Sequence, residues 1–204
     1  MERKFPKILL IIYVIFFLIL AIKPVSRTTW FVENLPITII VLILVLTYKK
    51  FQFSNLSYFL MSILIFLHTI GGHYTFANVP FDWITNLFGF ERNHFDRVAH
   101  FSVGFYAFAF AEILLIKKVV TKRWALFIFP IFFIMSIAAT YELIEWIYAA
   151  SSSSGLGAEF LGSQGDIWDA QKDILADTLG AIFAMILFCY LNKKEILKKV
   201  LIKY

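Results

Sequence analysis

The chain holds a single cysteine, Cys189, set inside an apolar run. An internal disulfide is therefore excluded, and cysteine usage says nothing about compartment. HExxH, GxGxxG and P-loop motifs are also missing, as are internal repeats and coiled-coil heptads, so no signature names a reaction. Charge is scarce, at 16% of 204 residues. The net charge of +5 is not gathered in one basic patch, which argues against a nucleic-acid partner. The basic residues sit instead at the ends of hydrophobic segments, as membrane-flanking lysines do.

What the chain has is apolar surface. It is 60% hydrophobic and 19% aromatic, with a mean hydropathy of +0.78. A soluble domain cannot hide that much, so the composition predicts an integral membrane protein, all-α, with residues 1–204 forming one membrane domain. A spanning helix needs about 20 mostly apolar residues. Six stretches qualify, at about 7–25, 32–49, 53–73, 95–116, 124–149 and 173–192, so the expected fold is a polytopic bundle of about six transmembrane helices. The first, Ile8 to Ile22 after Met-Glu-Arg-Lys, is short enough to resemble a signal-peptide core. No small-x-small cleavage site follows it, and Lys7 and Lys23 can snorkel to the two interfaces, so it is read as a retained helix. Glu33, Asn34 and Pro36 place the start of the second segment at the interface, with Pro36 in the first helical turn.

Counting Lys and Arg between segments orients the chain. Fourteen lie on one side: Arg3, Lys4, Lys7, Lys49, Lys50, Lys117, Lys118, Lys122, Arg123, Lys193, Lys194, Lys198, Lys199 and Lys203. Five lie on the other: Lys23, Arg27, Arg92, Arg97 and Lys172. Both termini are thus expected in the cytoplasm, in a multi-pass protein of the cell (inner or plasma) membrane. Two long loops then face outward. Residues 74–94 are aromatic-rich and suit a short interfacial or re-entrant piece. Residues 150–165, with Ser151 to Ser154 and four glycines, suit either a lid or a plain spacer.

With this topology the ionisable residues of four spans fall at one depth. They are His68, then Asp96 and His100, then Glu142 and Glu145, then Asp169, Asp173 and Asp177. Charge inside a bilayer is costly, so such residues face a bundle interior and usually mark a function. Asp96 and His100 are one turn apart, and Glu142 and Glu145 share a face. The three aspartates form an i, i+4, i+8 ladder over about 12 Å of helix. Like charges so placed repel unless a metal, a basic partner or protons neutralise them.

Plainer readings stand beside this one. Asp169 and Asp173 suit a helix N-terminus. Asp96, Arg97 and His100 suit an interfacial ion-pair set, and His68 suits a helix–helix polar contact. His73 is expected at the surface, and Glu112, the one acid at the other end, is expected to pair with Lys117 or another basic loop residue. Imidazole with carboxylates fits Zn²⁺, Mn²⁺ or Fe²⁺, and carboxylates alone fit Mg²⁺ or Ca²⁺. The candidate metal ligands are therefore His68, Asp96, His100, Glu142, Glu145, Asp169, Asp173 and Asp177, holding a divalent ion of unspecified identity. Without a metal, His100 held by Asp96 serves as general base and Glu142 as acid. Ser102 and Ser163 offer hydroxyls that nothing singles out.

Asp96-Arg97-Val98-Ala99-His100-Phe101, Tyr141-Glu142-Leu143-Ile144-Glu145-Trp146, and the WDxxKDxxxDxxGA stretch from Trp168 to Ala181 resemble the YjdF family of bacterial inner-membrane proteins. That resemblance covers the chain from about His68 onward and implies a multi-spanning membrane protein, with no activity attached. More distantly, the order of the Asp96–His100, Glu142–Glu145 and Asp173–Gly180 elements is similar to VanZ-like proteins, which are linked with glycopeptide resistance at the envelope. The chain departs from those in carrying acids at Glu145 and Asp177 where amides are expected. The expected partners are the lipid bilayer and an envelope lipid or glycan precursor. The three function classes in play are a metal-assisted hydrolase or transferase, a cation- or proton-coupled carrier, and a non-catalytic envelope-binding scaffold.

Overall fold

The structure is a computed structural model that describes residues 4–151 and 163–200. Its described elements are helices: α1 (Lys4–Leu20), α2 (Arg27–Thr47), α3 (Asn55–Tyr74), α4 (Asp82–Phe88), α5 (Phe95–Val103), α6 (Tyr106–Ile116), α7 (Arg123–Ser151), α8 (Asp169–Leu191) and α9 (Lys193–Val200). A short 3₁₀ turn at Phe76–Asn78 follows α3. Among the described residues, five units are long and apolar enough to cross a bilayer, namely α2, α3, α5 with α6, α7 and α8. The protein is a polytopic helical membrane bundle. α1, at 17 residues, sits at the lower limit for spanning. It is nonetheless packed into the bundle, because Tyr13 is buried and its hydroxyl lies 3.2 Å from Thr69 Oγ1 of α3.

Local chemistry decides where the helices begin. Ser26 caps α2, its Oγ accepting from the Thr29 amide at 3.2 Å, so the helix starts at Arg27 instead of near residue 32. Two expectations change as a result. Glu33 and Asn34 lie inside α2 and are each 3% exposed, not interfacial. Pro36 is the tenth residue of the helix, not part of its first turn. Likewise α8 begins at Asp169, which brings the whole aspartate ladder onto one helix.

The fourth predicted span is two helices, broken at Gly104-Phe105. There the amides of Phe105, Ala107 and Phe108 bond carbonyls three residues back, tightening the turn to 3₁₀ geometry. The reason lies across the interface. A Cβ on Gly180 of α8 would collide with the Phe101 carbonyl, and one on Gly104 would strike the α8 backbone at Asp177, Gly180 and Ala181. Two glycines therefore let the backbones of α5 and α8 touch, as small residues do in membrane bundles. Below this crossing, Ala107, Ala111, Ala181, Ala184, Met185 and Phe188 form the apolar core.

The remaining surface of α1, α2 and α7 is aliphatic and aromatic, with Ile11, Leu42, Leu46 and Phe132 all exposed, as a lipid-facing perimeter requires. The 74–94 connection carries the expected amphipathic piece: α4 exposes Trp83, Leu87 and Phe88. The loop at 150–165, expected as lid or spacer, lies mostly outside the described residues. His73 is not a surface residue. It is half-buried, its Nδ1 2.6 Å from the Leu20 carbonyl, and its own carbonyl accepts from the Val25 amide at 2.9 Å, so it fastens the α1–α2 turn. Glu112 is not a partner of Lys117. Its carboxylate accepts from the Ser54 amide at 2.9 and 3.1 Å and from the Ser57 hydroxyl, tying α6 to the start of α3.

Candidate functional site

The aspartate ladder of α8 faces α5, with Asp169, Asp173 and Asp177 at 7%, 3% and 1% exposure. Its mutual repulsion is answered by arginine. Arg97 of α5 donates from Nη1 to Asp173 and from Nη2 to Asp169. Arg92, from the loop before α5, donates to Asp169 at 2.7 Å and to the Ser163 carbonyl at 3.0 Å. Planar guanidinium forks match pairs of carboxylates spaced one turn apart. In the sequence both arginines count as flanking charges, because an arginine at the end of a span ordinarily snorkels, and Arg97 is read otherwise only as an interfacial partner of Asp96 and His100. The available signal was spacing, since Arg97 shares the α5 face of His100 at i, i+3.

Around the start of α8 the same network continues. Asp166 accepts from Lys172 Nζ at 2.7 Å and from the Trp168 amide at 3.0 Å. That lysine, then that amide, hold its carboxyl below the usual carboxylate range. His94, just before α5, is held below the ordinary imidazole value by partial burial and by the nearby Arg92 and Arg97 charges.

His100 is the hub. Its Nδ1 lies 3.2 Å from Asp177 Oδ2. Since a carboxylate only accepts, Nδ1 bears the proton in this contact. Nε2 then points at three carboxylate oxygens: Asp96 Oδ1 at 3.6 Å, Asp173 Oδ1 at 3.6 Å and Glu142 Oε1 at 4.0 Å. None of these is a hydrogen-bond distance. The ligand atoms of Asp96, His100 and Asp173 all lie within 4.8 Å of one another. Among the described residues, the buried Glu142 Oε1 and Asp177 Oδ1 meet no hydrogen-bond donor.

Imidazole with carboxylates is a donor set of the type that ligates divalent cations, although Asp173 Oδ1 already accepts from Arg97. Ligands about 2.1 Å from a tetrahedral centre are separated by roughly 3.4 Å, against 3.6–4.0 Å from Nε2 to the three oxygens around it. A carboxylate holding the far nitrogen of a ligating histidine is the usual outer support of such a site, and Asp177 occupies that position.

Beside His100 opens a cavity of about 130 Å³. α2 and α7 flank it, and Asp96, His100, Asp177, Glu145, His68 and Glu33 line it. Across the cavity, His68 Nε2 lies 3.0 Å from the Glu33 carbonyl oxygen and 3.2 Å from Glu33 Oε2. The structure thus gathers Asp96, His100, Glu142, Asp173 and Asp177 into one centre. It sets Glu145 and His68 on the cavity wall and commits Asp169 to two arginines. Glu33 is a lining residue that the sequence hides, because its position mimics an interfacial helix start. Ser102 is buried with its hydroxyl on the Ala99 carbonyl at 2.6 Å, so it is spent locally.

Comparison with known proteins agrees with this architecture. The model of the DUF2238 family, described as predicted membrane proteins, matches residues 5–194. The chain belongs to that family. It is 32% identical over 177 residues to inner membrane protein YjdF of Escherichia coli strain K12, covering 84% of this chain and 82% of that protein. No solved structure matches it. DUF2238 membership, with the five apolar helices, makes the chain a multi-pass membrane protein and assigns it no chemistry, which leaves the site itself as the basis for a function.

Proposed function

We propose that this DUF2238 protein holds one divalent cation between Asp96, His100 and Asp173, with Glu142 as a fourth ligand, and acts on the head of an envelope lipid or glycan precursor. The observation that carries this is the pairing at His100, with Nδ1 tied to Asp177 and Nε2 facing three carboxylate oxygens at 3.6–4.0 Å. An unshared imidazole electron pair aimed at anionic oxygens is repulsive until a cation or a proton sits between them. The borderline nitrogen-plus-oxygen set favours Zn²⁺, Mn²⁺ or Fe²⁺ over Mg²⁺ or Ca²⁺. The positive-inside count supports an orientation with both termini in the cytoplasm and this end of the bundle outside it. In that orientation the cavity meets the outer leaflet.

One contact favours a metal-free reading. Arg97 already donates to Asp173 Oδ1, one of the two carboxylate oxygens 3.6 Å from Nε2. In that case His100, held by Asp177 and Asp96, works as the general base, with Glu142 as its acid partner. Metal titration separates the two readings. Detergent-purified, chelator-treated protein should take up one equivalent of Zn²⁺ or Mn²⁺. His100→Ala should abolish this, and Asp177→Asn should weaken it about 10–100-fold through loss of outer support. Uptake unchanged in His100→Ala rules out this site as the metal centre.

A further inference from the structure

The cavity wall opposite His100 is built for a ligand of a particular charge. Glu33 is 3% exposed. The His68 nitrogen beside it is spent on the Glu33 backbone carbonyl at 3.0 Å. Glu33 Oε2 lies 3.2 Å from that same nitrogen but outside hydrogen-bond geometry, and no described residue donates to it. Asp177, also a lining residue and 1% exposed, carries a second oxygen without a donor, Oδ1. Asp96 and Glu145 complete an acceptor-rich wall, and among the described lining residues there is neither lysine nor arginine. The two arginines of the site are committed elsewhere, to Asp169 and Asp173.

Desolvating an acceptor that then goes unpaired is costly. Two such oxygens on the residues of one small cavity mark the position of a donor that binding supplies. The rest of the lining says which donor. Pro36, Ile37, Ile40, Leu64, Phe76 and Ile137 are apolar, an environment that suits an ammonium on a short carbon stem. Tyr141 and Phe76 add aromatic rings, to which cations are attracted. A volume of about 130 Å³ admits a group of a few heavy atoms and not a whole sugar.

We infer that this cavity binds a primary ammonium group on a short apolar stem, held by Glu33 and the Asp177–Glu145 side and presented to His100. The inference rests on the cation-site reading for the reacting end and names the substrate class it takes: an amine-bearing head, such as an aminoethyl lipid headgroup or an aminosugar. Glu33, which the test addresses, is neither a proposed metal ligand nor in contact with one in the site described, so the two readings fail separately.

The test uses full-length protein in detergent and calorimetric or NMR titration with n-propylamine hydrochloride, with 1-propanol and propionate as matched controls. Propylammonium should bind at least about tenfold more tightly than propanol, and propionate should not bind. Glu33→Gln should weaken propylammonium at least about tenfold while leaving metal uptake as in the wild type. Equal affinity for propylamine and propanol overturns the inference without recourse to any variant, as does unchanged propylammonium binding in a folded Glu33→Gln. Loss of metal uptake in His100→Ala with propylammonium selectivity intact supports both assignments. Propylammonium selectivity in a protein that takes up no metal sinks the metal reading alone. Nanodiscs of phosphatidylethanolamine against phosphatidylcholine then distinguish a lipid source, expected to compete with propylamine only when the head is a primary amine, from a free one. Competition by phosphatidylcholine to the same extent also overturns the assignment.

Discussion

Glu112 and Glu142 are both acids inside apolar helices, at opposite ends of the same bundle, and they are treated differently. Glu112 receives the Ser54 amide on both oxygens and the Ser57 hydroxyl on one. Its charge is answered by the helix start it holds, which is a structural use of a buried carboxylate. Glu142 Oε1 has no donor among the described residues and faces an imidazole nitrogen at 4.0 Å. The presence of an acid in a membrane helix is therefore a weaker sign of function than the state of its oxygens. Saturated acids hold the fold together. Unsaturated acids that converge from several helices mark a place prepared for something else.

Variants at the two ends probe that contrast. Arg97→Ala should be the most damaging, because it strands Asp173 without its guanidinium and leaves Asp169 with Arg92 alone. Removing one partner of a buried ion pair costs about 3–5 kcal/mol, so its thermal midpoint in detergent should fall furthest of the set. Next is Gly180→Leu, whose side chain must enter the Phe101 carbonyl. Overpacking of this kind costs about 1–3 kcal/mol, and the enforced separation of α5 from α8 should weaken metal uptake as well. Glu112→Ala should also destabilise by about 1–3 kcal/mol, through the unsatisfied Ser54 amide, with metal uptake unchanged. A loss of metal in Glu112→Ala would erase the distinction between the two ends. Lys172→Ala should do least. Its ammonium is half exposed beside Asp166, and surface pairs of this kind contribute little, so its melting curve should nearly overlay that of the wild type.

Much of the architecture was legible because the bilayer enforces it. The long apolar runs need no tertiary information to be read as spans. Arg123–Ser151 and Asn55–Tyr74 end within a few residues of their expected bounds. The convergence of His100, Asp96, Glu142, Asp173 and Asp177 was legible too, since topology alone brings these to one depth. What hydropathy cannot express is what a charge does after its helix is in place. Arg97 reads as a flanking charge or as an interfacial partner of Asp96 and His100, and instead bridges Asp169 and Asp173. Glu33 looked interfacial because the start of α2 is set by a cap at Ser26, a detail that apolar averaging does not see. The Gly104–Gly180 crossing was equally hidden, because it depends on two glycines far apart in sequence meeting in space.

The functional reading stands on a cation shared between His100 Nε2 and the oxygens around it. Elemental analysis of detergent-purified protein beside an Asp96→Asn/His100→Ala double variant decides whether that cation exists. Close to one equivalent of zinc or a transition metal is expected in the wild type, with background levels in the double variant. Equal and negligible metal in both, in protein that remains folded, contradicts it.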